Sequence, residues 1–125
     1  MPTITVSYSD ICSMLGREFD RTYLCERLNM MGIETEVIGD ELKLEILHNR
    51  PDLLSPEGVV RALKGFLGIE TGLPKYRATP SGITLRVDKS VKSVRPFISA
   101  GVVTGVKLTD EIVASLMQVQ EKLHA

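Results

Sequence analysis

The chain has 125 residues, 43% of them hydrophobic, and a formal net charge of −1 at pH 7, enough for one ordinary domain or one small domain plus part of another. No run approaches the roughly 18 to 20 apolar residues of a membrane span, and the opening MPTITVSYSD has neither the basic start nor the apolar block of a signal peptide. A cytoplasmic location and no membrane partner are therefore expected. Cys12 and Cys25 fall on separate predicted helices without a CxxC pair or a nearby His, so they read as core thiols, and no metal site is predicted.

In chain order, Thr3 to Val6 reads as a short strand. Ser7 is the expected N-cap of a helix over Tyr8 to Leu15, with Asp10 in the capping-box position and Gly16 as the stop. Asp20 caps a second predicted helix, whose buried face is Leu24, Leu28 and Met31 and whose end is Gly32. In IETEVIGDELKLEI, residues Ile33, Thr35 and Val37 alternate with glutamates, Gly39-Asp40 turns the chain, and Leu42, Leu44 and Ile46 alternate with Lys43 and Glu45. That is a β-hairpin with one wet face.

The joint HNRPDLLSPEG follows. Pro51 disfavours a helical Arg50 and ends the strand pattern, and Asn49 and Asp52 are expected to bond free backbone N–H groups in the turn. Ser55 and Pro56 then open a third helix with Val59, Val60, Leu63, Phe66 and Leu67 as its buried face. His48, Asp40, Asp52 and Glu57 are the side chains with acid/base chemistry here, and each has an ordinary place in a turn or at a helix start. Arg50 is the exception, because its fork suits a phosphate or a carboxylate of a neighbouring subunit. The alternative is a local bond to a carbonyl or to an acidic hairpin residue.

Residues 71–82, TGLPKYRATPSG, have linker composition. Beyond them ITLRV alternates as a strand, and RPFISAGVVTGVKL suits a strand buried on both faces. Thr109 caps a final helix through His124, with Ile112, Leu116, Val119 and Leu123 as its stripe, Val113 and Met117 widening it, and Gln120 at its edge, where a polar group needs a partner. This second unit looks cut off rather than finished, since one helix and two or three strands rarely make a self-sufficient core. The expected fold class is α+β. A small N-terminal module of short helices with a β-hairpin spans 1–74, a linker 75–82, and the incomplete start of a second α+β domain 83–125.

Charge is unevenly placed. Residues 1–74 carry 7 Lys and Arg against 12 Asp and Glu, while residues 75–107 carry 7 against 1. In that basic stretch Arg86, Lys89, Lys92 and Arg95 are candidates for contact with RNA or another subunit. No Ser/His/Asp set, P-loop or HExxH pattern is present, so no catalytic residue is predicted.

Two blocks carry a family likeness. GIETEVIGDELKLEILHNRPDLLSPEGVVRALKGFLG resembles the N-terminal domain of the β subunit of phenylalanyl-tRNA synthetase in its archaeal and eukaryotic form, and VRPFISAGVVTGVKLTDEIVASLMQVQEKLH resembles the start of that subunit's editing domain. The resemblance implies a class II aminoacyl-tRNA synthetase, a cytoplasmic tetramer of two α and two β subunits that uses ATP and magnesium to join phenylalanine to its tRNA. Aminoacylation belongs to the α subunit, and the β subunit adds structural modules and an editing site. The chain then reads as a non-catalytic N-terminal portion that binds no cofactor itself, with Gln120 a candidate for the edge of the editing cleft. Two other readings stay open. One is a free-standing RNA-binding module, although Tyr8, Phe19, Tyr23, Phe66, Tyr76 and Phe97 suggest no clustered stacking platform. The other is a helix-turn-helix-like binder using Arg21, Arg27 and Asn29, which the acidic character of residues 1–74 opposes, so no DNA partner is expected.

Overall fold

Three strands make one antiparallel sheet in the order β1-β3-β2: β1 is Thr3–Ser7, β2 Glu34–Ile38 and β3 Glu41–Glu45. The computed structural model describes residues 1–124. The helices are α1 (Tyr8–Leu15), α2 (Arg21–Met30), α3 (Pro56–Phe66) and α4 (Asp110–His124), with 3-10 turns at Pro51–Leu53 and Lys89–Ser93. This is the expected α+β class. Among the described residues no helix is long and apolar enough to cross a membrane. By its contacts the chain divides into two units, one of residues 1–73 with the segment from Thr109 onward, the other of residues 74–108.

The sheet is built around β3. Its register sets Ile4 against Leu44 and Val6 against Leu42, so the alternation of both strands delivers apolar side chains to one face. Leu42, Leu44 and Ile46 are fully buried there with Ile4 and Val6. On the opposite, wet face Lys43 Nζ meets Glu36 Oε2 at 2.9 Å, directly across the β2–β3 pair. Past Thr3 and Glu45 the ladder is extended by Ile46 N–H, which donates to the carbonyl of Pro2 at 2.9 Å.

Helices of eight to eleven residues such as α1, α2 and α3 are too short to persist alone in water, and local caps plus core burial hold them. Ser7 Oγ accepts from Asp10 N–H at 3.3 Å, Asp20 Oδ2 from Tyr23 N–H at 3.0 Å, and Ser55 Oγ from Gly58 N–H at 3.0 Å. Gly16 closes α1 at φ 79°, as its place in the sequence required. Ile11 and Leu15 from α1, Leu24 and Leu28 from α2, and Val59, Val60 and Leu63 from α3 complete the core with Leu53 and Leu54. Burying each such side chain is worth about 1.5–3 kcal/mol. No polar or charged residue is buried among the described residues. Both cysteines are free, Cys12 buried and Cys25 half-buried, and burial pushes the Cys25 thiol up.

Several expectations fail, each for a physical reason. Val37 is 47% exposed; it precedes the hairpin turn on the edge strand, beyond the reach of the helical layer. Phe66 is 44% exposed because α3 ends there and Leu67 takes the place against the core. The segments 83–87 and 95–108 form no strand, since alternation needs a neighbouring strand to bond before it becomes a ladder. Helix α4 has no buried residue, so its stripe is not a core face.

Candidate functional site

The joint between β3 and α3 is built almost wholly from backbone and apolar contacts. Arg50 N–H donates to the Leu47 carbonyl at 3.0 Å, and Leu53 N–H to the Arg50 carbonyl at 3.1 Å, so two successive tight turns reverse the chain. Leu53 and Leu54 drop into the core as a plug. Gly58 lies in the first turn of α3 with ordinary helical backbone, and its need is space: a Cβ added there would land on the Asp52 carbonyl oxygen, deep inside van der Waals contact. The glycine lets α3 start pressed against the 3-10 turn.

Arg50 sits on this corner with its guanidinium already engaged. Nε and Nη2 donate to Asp52 Oδ1 and Oδ2, each at 2.9 Å, a two-pronged pair across two residues. The pairing holds the Asp52 carboxyl below its usual range, chiefly through these hydrogen bonds, with a smaller contribution from its own backbone N–H, and raises Arg50 for the same reason. Arg50 thus takes the local course, though its partner is Asp52 rather than a hairpin glutamate, and Asp52 serves a guanidinium before it serves the turn's free N–H groups. His48 and Asn49 are exposed on the outside of the corner. Asp40 pairs with Arg21, Nη2 to Oδ1 at 2.7 Å, and Glu57 lies exposed in the first turn of α3.

The basic stretch is differently made. Arg86, Lys89, Lys92 and Arg95 are all exposed, and among the described residues none of them enters an ion pair. Lys89 and Lys92 lie three apart on the 3-10 turn and so project from one side. Arg95 N–H donates to the Val91 carbonyl at 2.8 Å, which ties Arg95 to the end of that turn. Asp88, the one acid of the stretch, caps it: Oδ1 accepts from Ser90 N–H at 2.8 Å, and that bond holds the carboxyl low. The acid is turned to a backbone amide, and the cations face solvent.

Gln120 is exposed on α4, where water can serve its amide, so its expected need for a buried partner does not arise; its backbone carbonyl lies 3.0 Å from His124 Nδ1. Arg50, on the corner, and Gln120, on α4, belong to one unit, and the four cations belong to the other, residues 74–108.

An aromatic cluster was not visible in the sequence. Phe19 and Tyr23 stack with centroids 6.0 Å apart and planes 4° from parallel, flanked by Arg17 over Phe19 at 4.4 Å and Arg27 over Tyr23 at 4.7 Å. Tyr8 takes Arg21 over its ring at 4.6 Å and donates its hydroxyl to the Phe19 carbonyl. The only signal was the four-residue spacing of Arg17, Arg21 and Phe19, Tyr23, half of it outside any helix. Arg21 also binds the Gly39 carbonyl at 2.7 Å, and Asn29 Oδ1 accepts from Thr35 N–H at 3.1 Å. All three side chains of the helix-turn-helix reading are therefore committed to contacts within their own module. Each ring thus has an arginine over one face, and the Tyr8 hydroxyl on the Phe19 carbonyl ties α1 to the segment before α2, so the cluster braces the α1–α2 connection.

No family model matches the chain. It is similar to the phenylalanine–tRNA ligase beta subunits of Methanothrix thermoacetophila (47% identical, 99% of this chain, 23% of that protein) and Archaeoglobus fulgidus (45%, 99% and 22%). It thus spans less than a quarter of the length of the curated relatives it matches. Its fold is similar to the crystal structure of an N-terminal fragment of the phenylalanyl-tRNA synthetase beta subunit from Pyrococcus horikoshii, with a TM-score of 0.82 at 36% identity over 98% of this chain and 37% of that one. By sequence and by fold together, the chain matches the N-terminal part of phenylalanine–tRNA ligase β subunits.

Proposed function

We propose that this chain is a non-catalytic structural portion of a phenylalanine–tRNA ligase β subunit, acting within an assembly with the α subunit that charges tRNA with phenylalanine. The observation that carries the reading is the match over 99% of the chain to β subunits. On the family's pattern the whole enzyme is a cytoplasmic class II synthetase of two α and two β subunits, and it draws on ATP and magnesium bound elsewhere. Residues 1–74 serve as the structural module, and residues 83–125 lead into the editing-type domain across the 75–82 linker.

Within this reading the corner encodes shape rather than chemistry. Arg50 is neutralised by Asp52, so a phosphate would first have to displace a carboxylate held by two bonds. Unpaired Arg86, Lys89, Lys92 and Arg95 are the better candidates for tRNA or for an acidic face of another subunit. Gln120, exposed on α4, remains available to the edge of an editing cleft formed with further sequence.

The test is binding of the 125-residue chain to a tRNA for phenylalanine and to an unrelated tRNA, at low and physiological salt. A structural portion gives weak, unselective binding at both. Selective binding that falls steeply with salt, and is lost on replacing Lys89 and Lys92 by Ala, would instead favour the free-standing RNA-binding reading.

A further inference from the structure

The cations of the basic stretch recur at every third position: Arg86, Lys89, Lys92 and Arg95. Over Lys89–Ser93 the backbone is a 3-10 turn, which itself repeats about every three residues and rises about 2 Å per residue. Sequence period and backbone period therefore coincide, and Lys89 and Lys92 stand in one row about 6 Å apart along the turn. Val94 keeps a right-handed helical backbone at φ −105° and ψ −49°, and Arg95 N–H, bonded to the Val91 carbonyl, carries the row one step further. Ser90 and Ser93 form the adjacent row, and Val91 and Val94 the third.

The cations and serines of the first two rows are all exposed. Among the described residues no cation of the row enters an ion pair, and Asp88, the one acid of the stretch, is turned to the Ser90 N–H. A line of unpaired cations at even steps, edged by hydroxyls, is matched by anions at even steps. The phosphates of a nucleic-acid strand have that repeat in their covalent structure, and lysine, arginine and serine are side chains that hold them. A protein face would have to place carboxylates at the same interval by folding, and lysine is depleted in protein–protein contacts.

We propose that Lys89, Lys92 and Arg95 form a ridge that binds the phosphate backbone of an RNA strand, with Ser90 and Ser93 along its edge. Arg86 precedes the ridge by three residues and adds to its positive field. The choice of RNA as the polyanion rests on the ligase-subunit reading, and the ridge rests on its own geometry.

Fluorescence anisotropy of the 125-residue chain with a labelled tRNA for phenylalanine and a labelled unrelated tRNA, titrated with KCl, tests this. Log affinity is expected to fall against log salt with a slope of about −2 to −3, the value for three phosphate contacts. Lys89→Ala with Lys92→Ala is expected to flatten that slope by roughly 1.5, so that the affinity lost over a fourfold rise in salt shrinks about tenfold, with circular dichroism unchanged. Lys89→Arg with Lys92→Arg is expected to keep the slope. Lys75→Ala with Lys107→Ala removes the same charge from exposed positions of the same stretch outside the ridge and is expected to leave the slope unmoved. No binding at low salt, a slope indifferent to the ridge alanines, or an equal change from the Lys75 and Lys107 pair overturns the proposal. Each of those results leaves the subunit reading intact, whereas preference for one tRNA counts against that reading and not against the ridge, so the two fail separately.

Discussion

Two stretches of this chain share one pattern and meet different fates. In LKLEI, Leu42, Leu44 and Ile46 are 0% exposed at the centre of a sheet; in ITLRV, Ile83, Leu85 and Val87 are 69%, 55% and 51% exposed and pair with nothing. Both alternate apolar and polar residues with a period of two. The difference lies in what each finds beside it. β3 has β1 on one edge, β2 on the other and helices over its apolar face, while residues 83–87 have no strand to bond. Alternation confers the ability to become a strand, and neighbours decide whether it does.

The largest effects should follow this divide. Leu44→Ala empties a site at 0% exposure on the central strand and should cost about 2–5 kcal/mol, read as a lowered denaturant midpoint. Val103→Ala, at 81% exposure, should stay within about 0.5 kcal/mol. Equal losses would mean that the second stretch is packed as tightly as the first. Next comes Gly58→Ala, normally favourable in a helix. Here the methyl would meet a backbone carbonyl that cannot swing aside, so destabilisation of about 1–3 kcal/mol is expected, and a stabilised variant would show that the corner yields.

Caps act on a smaller scale. Asp20→Ala should cost about 1 kcal/mol, measured by thermal unfolding, because it strips the partner of Tyr23 N–H. Smallest is the corner pair. Asp52 is held low in the folded chain, so its contribution is present above the ordinary carboxylate pKa of about 4 and fades as pH falls through the depressed folded value. Both side chains are more than a third exposed, and solvent screening keeps the effect small. Asp52→Asn should therefore lower stability by a small, constant amount above about pH 4 and leave it unchanged in strong acid, where the wild-type contribution is already lost; a loss at neutral pH exceeding that of the cap would give the corner more weight than its geometry supports.

What could be read from the sequence was whatever depends on near neighbours along the chain. Ser7, Asp20 and Ser55 cap as expected, Gly16 and Gly68 have the positive φ their positions require, and Gly39-Asp40 turns the hairpin. Each is decided within about one turn of backbone. What could not be read depends on distant partners. Arg21 reaches eighteen residues to the Gly39 carbonyl, and Val37 and Phe66 fit their apolar periods yet sit at edges the core does not cover. The candidate site divides in the same way: the Arg50–Asp52 pair is local, whereas nothing near Gln120 in sequence shows that α4 has no buried residue.

The central claim is that residues 1–73 hold a packed fold while residues 83–108 carry the same apolar pattern without one. Native-state amide hydrogen exchange on the 125-residue chain tests it most directly. The account predicts that the amides of Leu42 and Leu44 exchange only by global unfolding, and that those of Val102 and Val103 exchange near the rate of an unstructured peptide. Comparable protection in both stretches would contradict it.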